Sequence, residues 1–219
     1  MNTIIVAPHP DDEVLGVGGT ILRRKAEGKK VAWLIITSID AQSWGSENVK
    51  RRANEIESIS NLLNFDQVFQ LNFPAAQLDR VPMSELVGSI AEVFKNFEPG
   101  EVFLPHFSDV HTDHRIVFDA ISSCAKWFRH PSVKRVLAYE TLSETGFGLS
   151  ASNSFRPNTF INIEPYLDDK LDAMKIYTSE MGAHPFPRSL DAIRALATLR
   201  GSASGFKSAE AFELLVERI

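Results

Sequence analysis

At 219 residues, 44% hydrophobic and 23% charged, the chain has the composition of one soluble globular domain with enough material for a full core. A formal net charge of −5 disfavours a nucleic-acid binder, which would present a basic face. No apolar run reaches membrane-spanning length and no basic-then-apolar leader opens the chain, so stable membrane insertion and secretion are not expected and a cytoplasmic protein is. The single cysteine, Cys124, excludes an intramolecular disulfide and, within the helical pattern "FDAISSCAKWF", reads as a small core residue.

The first element is "TIIVAP" (3–8), an apolar run bounded by a loop signal, the pattern of a strand covered on both faces. Helical periodicity follows through "VLGVGGTILRRKAEG", with Gly28 as its stop, and "KVAWLIIT" (30–37) is a second strand. A helix over 46–63, a strand over 67–72, a helix over 81–97 with Pro82 early, a strand over 101–106 and a helix over 113–128 continue the alternation. "KRVLAYET" (134–141) closes the series as a fifth strand. The segment "SETGFGLSASNSFRPN" (143–158) breaks the rhythm and reads as a long surface loop, expected to act as a lid that lays Phe147 and Phe155 over a ligand. Beyond it come a short strand in "FINI", helices near 165–181 and 188–199, and a last helix in "SAEAFELLVERI". Such alternation predicts an α/β fold: a single Rossmann-like domain over 1–219, with a mainly parallel sheet and helices on both faces. Residues 1–141 form its core alternation, and 142–219 add the loop and the C-terminal helices.

Open parallel sheets bind ligands beyond the carboxyl ends of their strands. Two polar clusters fall there: "HPDDE" (9–13) after the first strand and "HFSDVHTDHR" (106–115) after the fourth. Four of the six histidines, His9, His106, His111 and His114, lie in these clusters, and carboxylates crowded beside them need a positive partner. Converging histidines and carboxylates suggest catalytic zinc, with three protein ligands and one open position. His9 and Asp12 can reach one ion from a turn, His114 can supply the third ligand, and His111 can face the same pocket. Iron(II) would accept the same donors. The glycines of "GVGGT" begin several residues into the helix, too late for a dinucleotide fingerprint, so they are read as letting that helix approach the sheet.

"APHPDDEVLGVGGTI" closely resembles the Ala-His-Pro-Asp-Asp-Glu signature of the PIG-L (LmbE-like) zinc deacetylases, and "HTDHR" resembles their second motif. Similarity extends through "RRANE" (51–55) and the "RG…G…AEAF" close at 200–212. The resemblance implies a metal-dependent hydrolase that removes the N-acetyl group from an N-acetylglucosamine-type sugar or glycoconjugate. It makes His9, Asp12 and His114 the metal ligands and Asp11 the general base. It makes His111 the group that stabilises the oxyanion or protonates the amine, and Asp113 an orienting partner. Arg52 becomes a candidate sugar contact, with an i,i+3 ion pair to Glu55 as its alternative. Trp44 and Tyr139 are candidate stacking residues, for which packing is the plainer reading. Ala75 stands where many relatives carry an aspartate, and the loop after the second strand lacks their usual pattern, which leaves the sugar unnamed. Two alternatives stay open: a metallohydrolase cleaving another N-acyl amide, and a catalytically silent metal- or sugar-binding protein, which would have no use for an unligated Asp11. The partner is a small molecule rather than nucleic acid, and the sequence leaves room for a homo-oligomer.

Overall fold

The computed structural model describes residues 1–149 and 154–219. Its elements run β1 (Thr3–Ala7), α1 (Asp12–Ala26), β2 (Val31–Ser38), the single turn α2 (Ala41–Trp44), α3 (Ser46–Leu62), β3 (Gln67–Pro74) and α4 (Met83–Phe97). They continue with β4 (Glu101–Pro105), α5 (Thr112–Cys124), β5 (Arg135–Tyr139), β6 (Thr159–Asn162), α6 (Leu167–Met174), α7 (Leu190–Ser204) and β7 (Ala209–Glu217). The strands make a seven-stranded sheet in the order β3-β2-β1-β4-β5-β7-β6. Strands β1 to β5 are parallel, and β7 runs antiparallel to both of its neighbours.

The period-two alternation of a strand sorts the core into two layers. Ile5, Ala7, Trp33, Ile35, Phe103 and Leu137 face α1, α3, α6 and α7. Ile4, Val6, Ala32, Leu34, Val102 and Leu104 face α4 and α5, where Cys124 is buried among them. Each inner strand is covered on both sides, which is why its sequence is an unbroken apolar run. The sheet grows outward from β1 in one direction to β3 and then in the other from β4, so the crevice beyond β1 and β4 is the topological switch point. Both polar clusters open into that crevice. No helix among the described residues is long and apolar enough to cross a membrane.

The expected C-terminal helix is a strand. Alanine, glutamate and leucine in "SAEAFELLVERI" favour a helix in isolation, but intrinsic propensity is a weak force against tertiary pairing. Gly205 ends α7 in the left-handed region (φ 79°) and the chain turns back to fill the gap between β5 and β6. Phe212 then enters the core, its ring 4.9 Å from that of Phe103. The expected helix over 165–181 is also shorter, regular only over Leu167–Met174.

Helix α1 does lie close on the sheet. A Cβ on Gly16 would stand 2.3 Å from the Tyr139 ring, and one on Gly19 would stand 2.7 Å from Ile163. The same approach admits a buried ion pair. Glu210 of β7 accepts the backbone N–H groups of Gly19 (2.9 Å) and Thr20 (2.7 Å), while Lys170 of α6 bonds both Glu210 (2.6 Å) and the Leu15 carbonyl (2.8 Å). Glu210→Ala would strand the Lys170 charge, and should lower the unfolding free energy in urea by about 3–5 kcal/mol. A loss below roughly 1 kcal/mol, the size of an exposed pair, would contradict this role.

Candidate active site

The turn after β1 and the start of α5 meet at one point. Asp12, in the first turn of α1, places Oδ2 3.5 Å from His9 Nδ1 and 3.3 Å from His114 Nε2. Its position is fixed by the His9 N–H, which donates to the same oxygen at 2.9 Å. Both rings are held from behind. His9 Nε2 lies 3.1 Å from Asp113 Oδ2, and His114 Nδ1 lies 2.9 Å from Asp109 Oδ2. Asp113 is itself braced by the N–H groups of Ala76 (2.7 Å) and Leu78 (3.2 Å), and Asp109 by the Thr145 hydroxyl (2.7 Å). The rear nitrogens are therefore occupied, and the forward nitrogens converge on Asp12.

These donors fit a divalent cation. Tetrahedral bonds of roughly 2.0–2.1 Å put neighbouring ligand atoms about 3.3–3.4 Å apart, close to the 3.3 and 3.5 Å seen here. Carboxylates behind ligating histidines are the usual way of fixing their tautomers. A second group, His9, His111 and Asp113, also brings its donor atoms within 4.8 Å of one another and shares His9 with the first.

Charge follows the same geometry. Burial works against a charged Asp12, yet the His114 and His9 rings hold its carboxyl well below the usual range. Burial also disfavours charged rings, but Asp113 and Asp12 raise His9 to about 9, and Asp12 and Asp109 raise His114 well above its ordinary value. The site demands positive charge, which a metal ion can supply in place of two ring protons. His111 behaves differently: burial, with His9 and His114 close by, lowers it to about 4. Its Nδ1 accepts the Asp113 N–H (3.1 Å), so the neutral ring carries its proton on Nε2. The prop of His111 is thus a backbone amide, and the carboxylate of the orienting partner Asp113 serves His9.

Asp11 lies beside this group of donors but bonds elsewhere. Burial, with Asp12 and Glu180 nearby, raises it to about 7 against the pull of Arg188 and His9. Its Oδ2 accepts from Arg188 Nη1 at 2.9 Å and its N–H donates to Glu13 Oε2 at 3.0 Å. Burial pushes Glu13 up to about 8, although it accepts the Tyr177 hydroxyl (2.6 Å) and the Asp11 N–H. Sequence reasoning missed Asp109, Tyr177, Glu180 and Arg188, and gave Glu13 no role beyond the acidic cluster. Asp109, five residues before His114 in the same cluster, was open to inference; Tyr177, Glu180 and Arg188 lie in a stretch with no local motif.

A cleft of about 670 Å³ opens over His9, Asp11, Asp12, His111 and His114. Arg52 lines it with its donors engaged: Nη1 bonds the Pro10 carbonyl (2.8 Å) and approaches Glu55 (3.3 Å), while Nη2 pairs with Glu180. Trp44, half exposed, and Ala75 line the outer part. Tyr139 is core, its hydroxyl donating to the Val6 carbonyl (2.9 Å). His106 stays apart from His9, Asp12 and His114, bonded to Ser108 Oγ (2.7 Å) and facing Glu213 and the Phe155 ring. Of the expected lid, residues 150–153 lie outside the described residues. Ser143 and Glu144 line the cleft, whereas Phe155 packs on His106 and Arg200.

The profile of the PIG-L family, described as GlcNAc-PI de-N-acetylase, matches residues 4–125. Over 220 residues the chain is 26% identical to a diacetylchitobiose deacetylase of Thermococcus kodakarensis, covering 94% of this chain and 80% of the relative. An uncharacterized deacetylase of Escherichia coli, YaiS, is 25% identical over 182 residues, covering 80% and 90%. Among solved structures, the conserved protein TT1542 from Thermus thermophilus superposes with a TM-score of 0.81 at 27% identity, covering 100% of this chain and 96% of that one. The matched segment runs from β1 through α5 and holds both motifs, and the chain belongs to the PIG-L (GlcNAc-PI de-N-acetylase) family.

Proposed function

We propose that this protein is a zinc-dependent N-deacetylase of N-acetylglucosamine-type sugars or glycoconjugates, with His9, Asp12 and His114 as metal ligands and Asp11 as general base. The observation that carries the reading is the convergence of three donors, two of them buried, on one point, with a second acid, Asp11, beside them in the same cleft and bonded elsewhere. The name of the Thermococcus relative, a diacetylchitobiose deacetylase, supports an N-acetylated sugar as substrate.

A bound zinc ion would supply Lewis acidity, bringing the pKa of water toward roughly 7 and polarising the amide carbonyl. The chain's own groups do the rest. Asp11 accepts the proton of the water that attacks the acetyl carbon. His111, neutral and protonated on Nε2, donates a hydrogen bond to the oxygen on which negative charge develops. A neutral imidazole that keeps this bond is a poor acid, so the proton that reaches the departing amine is the one Asp11 has taken. The C–N bond then breaks, leaving acetate and the free amino sugar. Asp113 and Asp109 keep the ligating rings in one tautomer, and Arg52 forms part of the wall against which the sugar lies.

Purified protein supplied with zinc should release acetate from N,N'-diacetylchitobiose or another N-acetylglucosamine glycoside. Acetate from none of these sugars, with release of a longer acid from N-acyl analogues, would favour the wider metallohydrolase reading instead. His114→Ala should abolish most metal binding, measured as bound zinc per chain; a full complement in that variant would contradict the ligand set. Asp11→Asn should retain zinc and lose roughly 10²–10⁴-fold in kcat, the ordinary worth of a positioned base. Zinc loss in Asp11→Asn alongside retention in Asp12→Asn would exchange the two roles.

The cleft is larger than one amino sugar requires, and Trp44 offers a flat, half-exposed ring at its outer part. Trp44→Ala should raise KM for a disaccharide about fivefold, the equivalent of roughly 1 kcal/mol of ring contact, with kcat unchanged. Equal KM values in the two proteins would remove Trp44 from the substrate's path.

A further inference from the structure

Asp11 has backbone angles φ 133° and ψ −29°, which a non-glycine residue adopts only when its surroundings over-determine it. Those surroundings come from the start of α1 and from the far end of the chain. The Asp11 carbonyl accepts the N–H groups of Val14 (3.1 Å) and Leu15 (2.9 Å) at the start of α1. Its N–H is held by Glu13 Oε2, and Tyr177 fixes Glu13 through Oε1. A ring of charges closes around the preceding peptide. Arg52 Nη1 holds the Pro10 carbonyl, Arg52 Nη2 pairs with Glu180 Oε1, and Glu180 Oε2 lies 3.3 Å from Arg188 Nη1. Arg188 Nη1 in turn holds Asp11 Oδ2 at 2.9 Å. Among the described residues Asp11 Oδ1 makes no hydrogen bond, so one carboxylate oxygen is tied and the other is left for a proton.

We infer that Arg188, backed by Glu180, is a positioning residue: it fixes the Asp11 carboxylate so that Oδ1 faces the attacking water. The inference rests on the reading of Asp11 as the base. Arg188 lies in the segment between α6 and α7, outside the residues matched by the family profile. The chain beyond residue 125 therefore contributes to the catalytic geometry rather than only covering the sheet. Tying both ends of the Pro10–Asp11 unit to one guanidinium–carboxylate–guanidinium chain stiffens the base at the cost of two arginines held back from the substrate. A displacement of a reacting group by about 1 Å can lower a rate roughly 10²-fold, so the loss of one such tie should be visible in kcat.

The test uses the zinc-loaded protein with N,N'-diacetylchitobiose, comparing Arg188→Ala, Arg188→Lys, Asp11→Asn and the Asp11→Asn/Arg188→Ala pair. Arg188→Ala should keep its zinc and its KM within about threefold while kcat falls about 10²-fold. Free guanidinium in the buffer should restore about tenfold of that loss, and Arg188→Lys should fall between Arg188→Ala and the unsubstituted protein. If Arg188 acts through Asp11, the double variant should be no slower than Asp11→Asn alone. A raised KM with unchanged kcat would make Arg188 a substrate contact and overturn the inference, as would a double variant much slower than either parent. Should Arg188→Ala fail to fold, Arg188→Lys carries the same comparison. An active Asp11→Asn would bring down the reading of the base itself, whereas an inactive Asp11→Asn beside an unimpaired Arg188→Ala would bring down only this inference.

Discussion

The Asp12 carboxylate lies between two imidazole nitrogens at 3.3 and 3.5 Å, in a position so buried that its charge must be met on the spot. Much of the surrounding structure can be understood as the means of keeping it there. Two further carboxylates, Asp113 and Asp109, turn the histidine rings inward, and each is tied to a different part of the chain. Removing one partner from such a buried charged network leaves the others without compensation, which makes the arrangement an all-or-none one.

The topology supplies what local sequence cannot. Strands β1 and β4 are neighbours, so the turns after them open at one crevice although a hundred residues separate them. The close seat of α1 on the sheet, made by Gly16 and Gly19 against Tyr139 and Ile163, sets the height of the first turn, where Asp12 and Glu13 begin the helix. The buried Lys170–Glu210 pair ties that helix to α6 and β7. A rigid base under the site is what allows a few side chains to hold fixed angles above it.

The alternation of strands and helices was legible because the inner strands are buried on both faces and so read as plain apolar runs. The candidate site was legible because its residues sit in two short clusters at strand ends. What escaped was either non-local or contrary to propensity. Strand β7 looks helical in isolation and becomes a strand only through β5 and β6. Arg188 reaches Asp11 across 177 positions and Tyr177 reaches Glu13 across 164, distances at which no periodicity or spacing carries information. His106 shows the converse failure. It sits in the right cluster, but its ring is turned toward Glu213 and Phe155, apart from the group formed by His9, Asp12 and His114.

The central claim is that one divalent ion sits among His9, Asp12 and His114, with Asp11 beside it and outside its coordination. Anomalous diffraction at the zinc edge, from crystals grown with one equivalent of zinc, addresses this most directly. The account predicts a single strong peak within bonding distance of His9 Nδ1, Asp12 Oδ2 and His114 Nε2. A peak seated instead between His9, His111 and Asp113, or one bonded to Asp11, would contradict it.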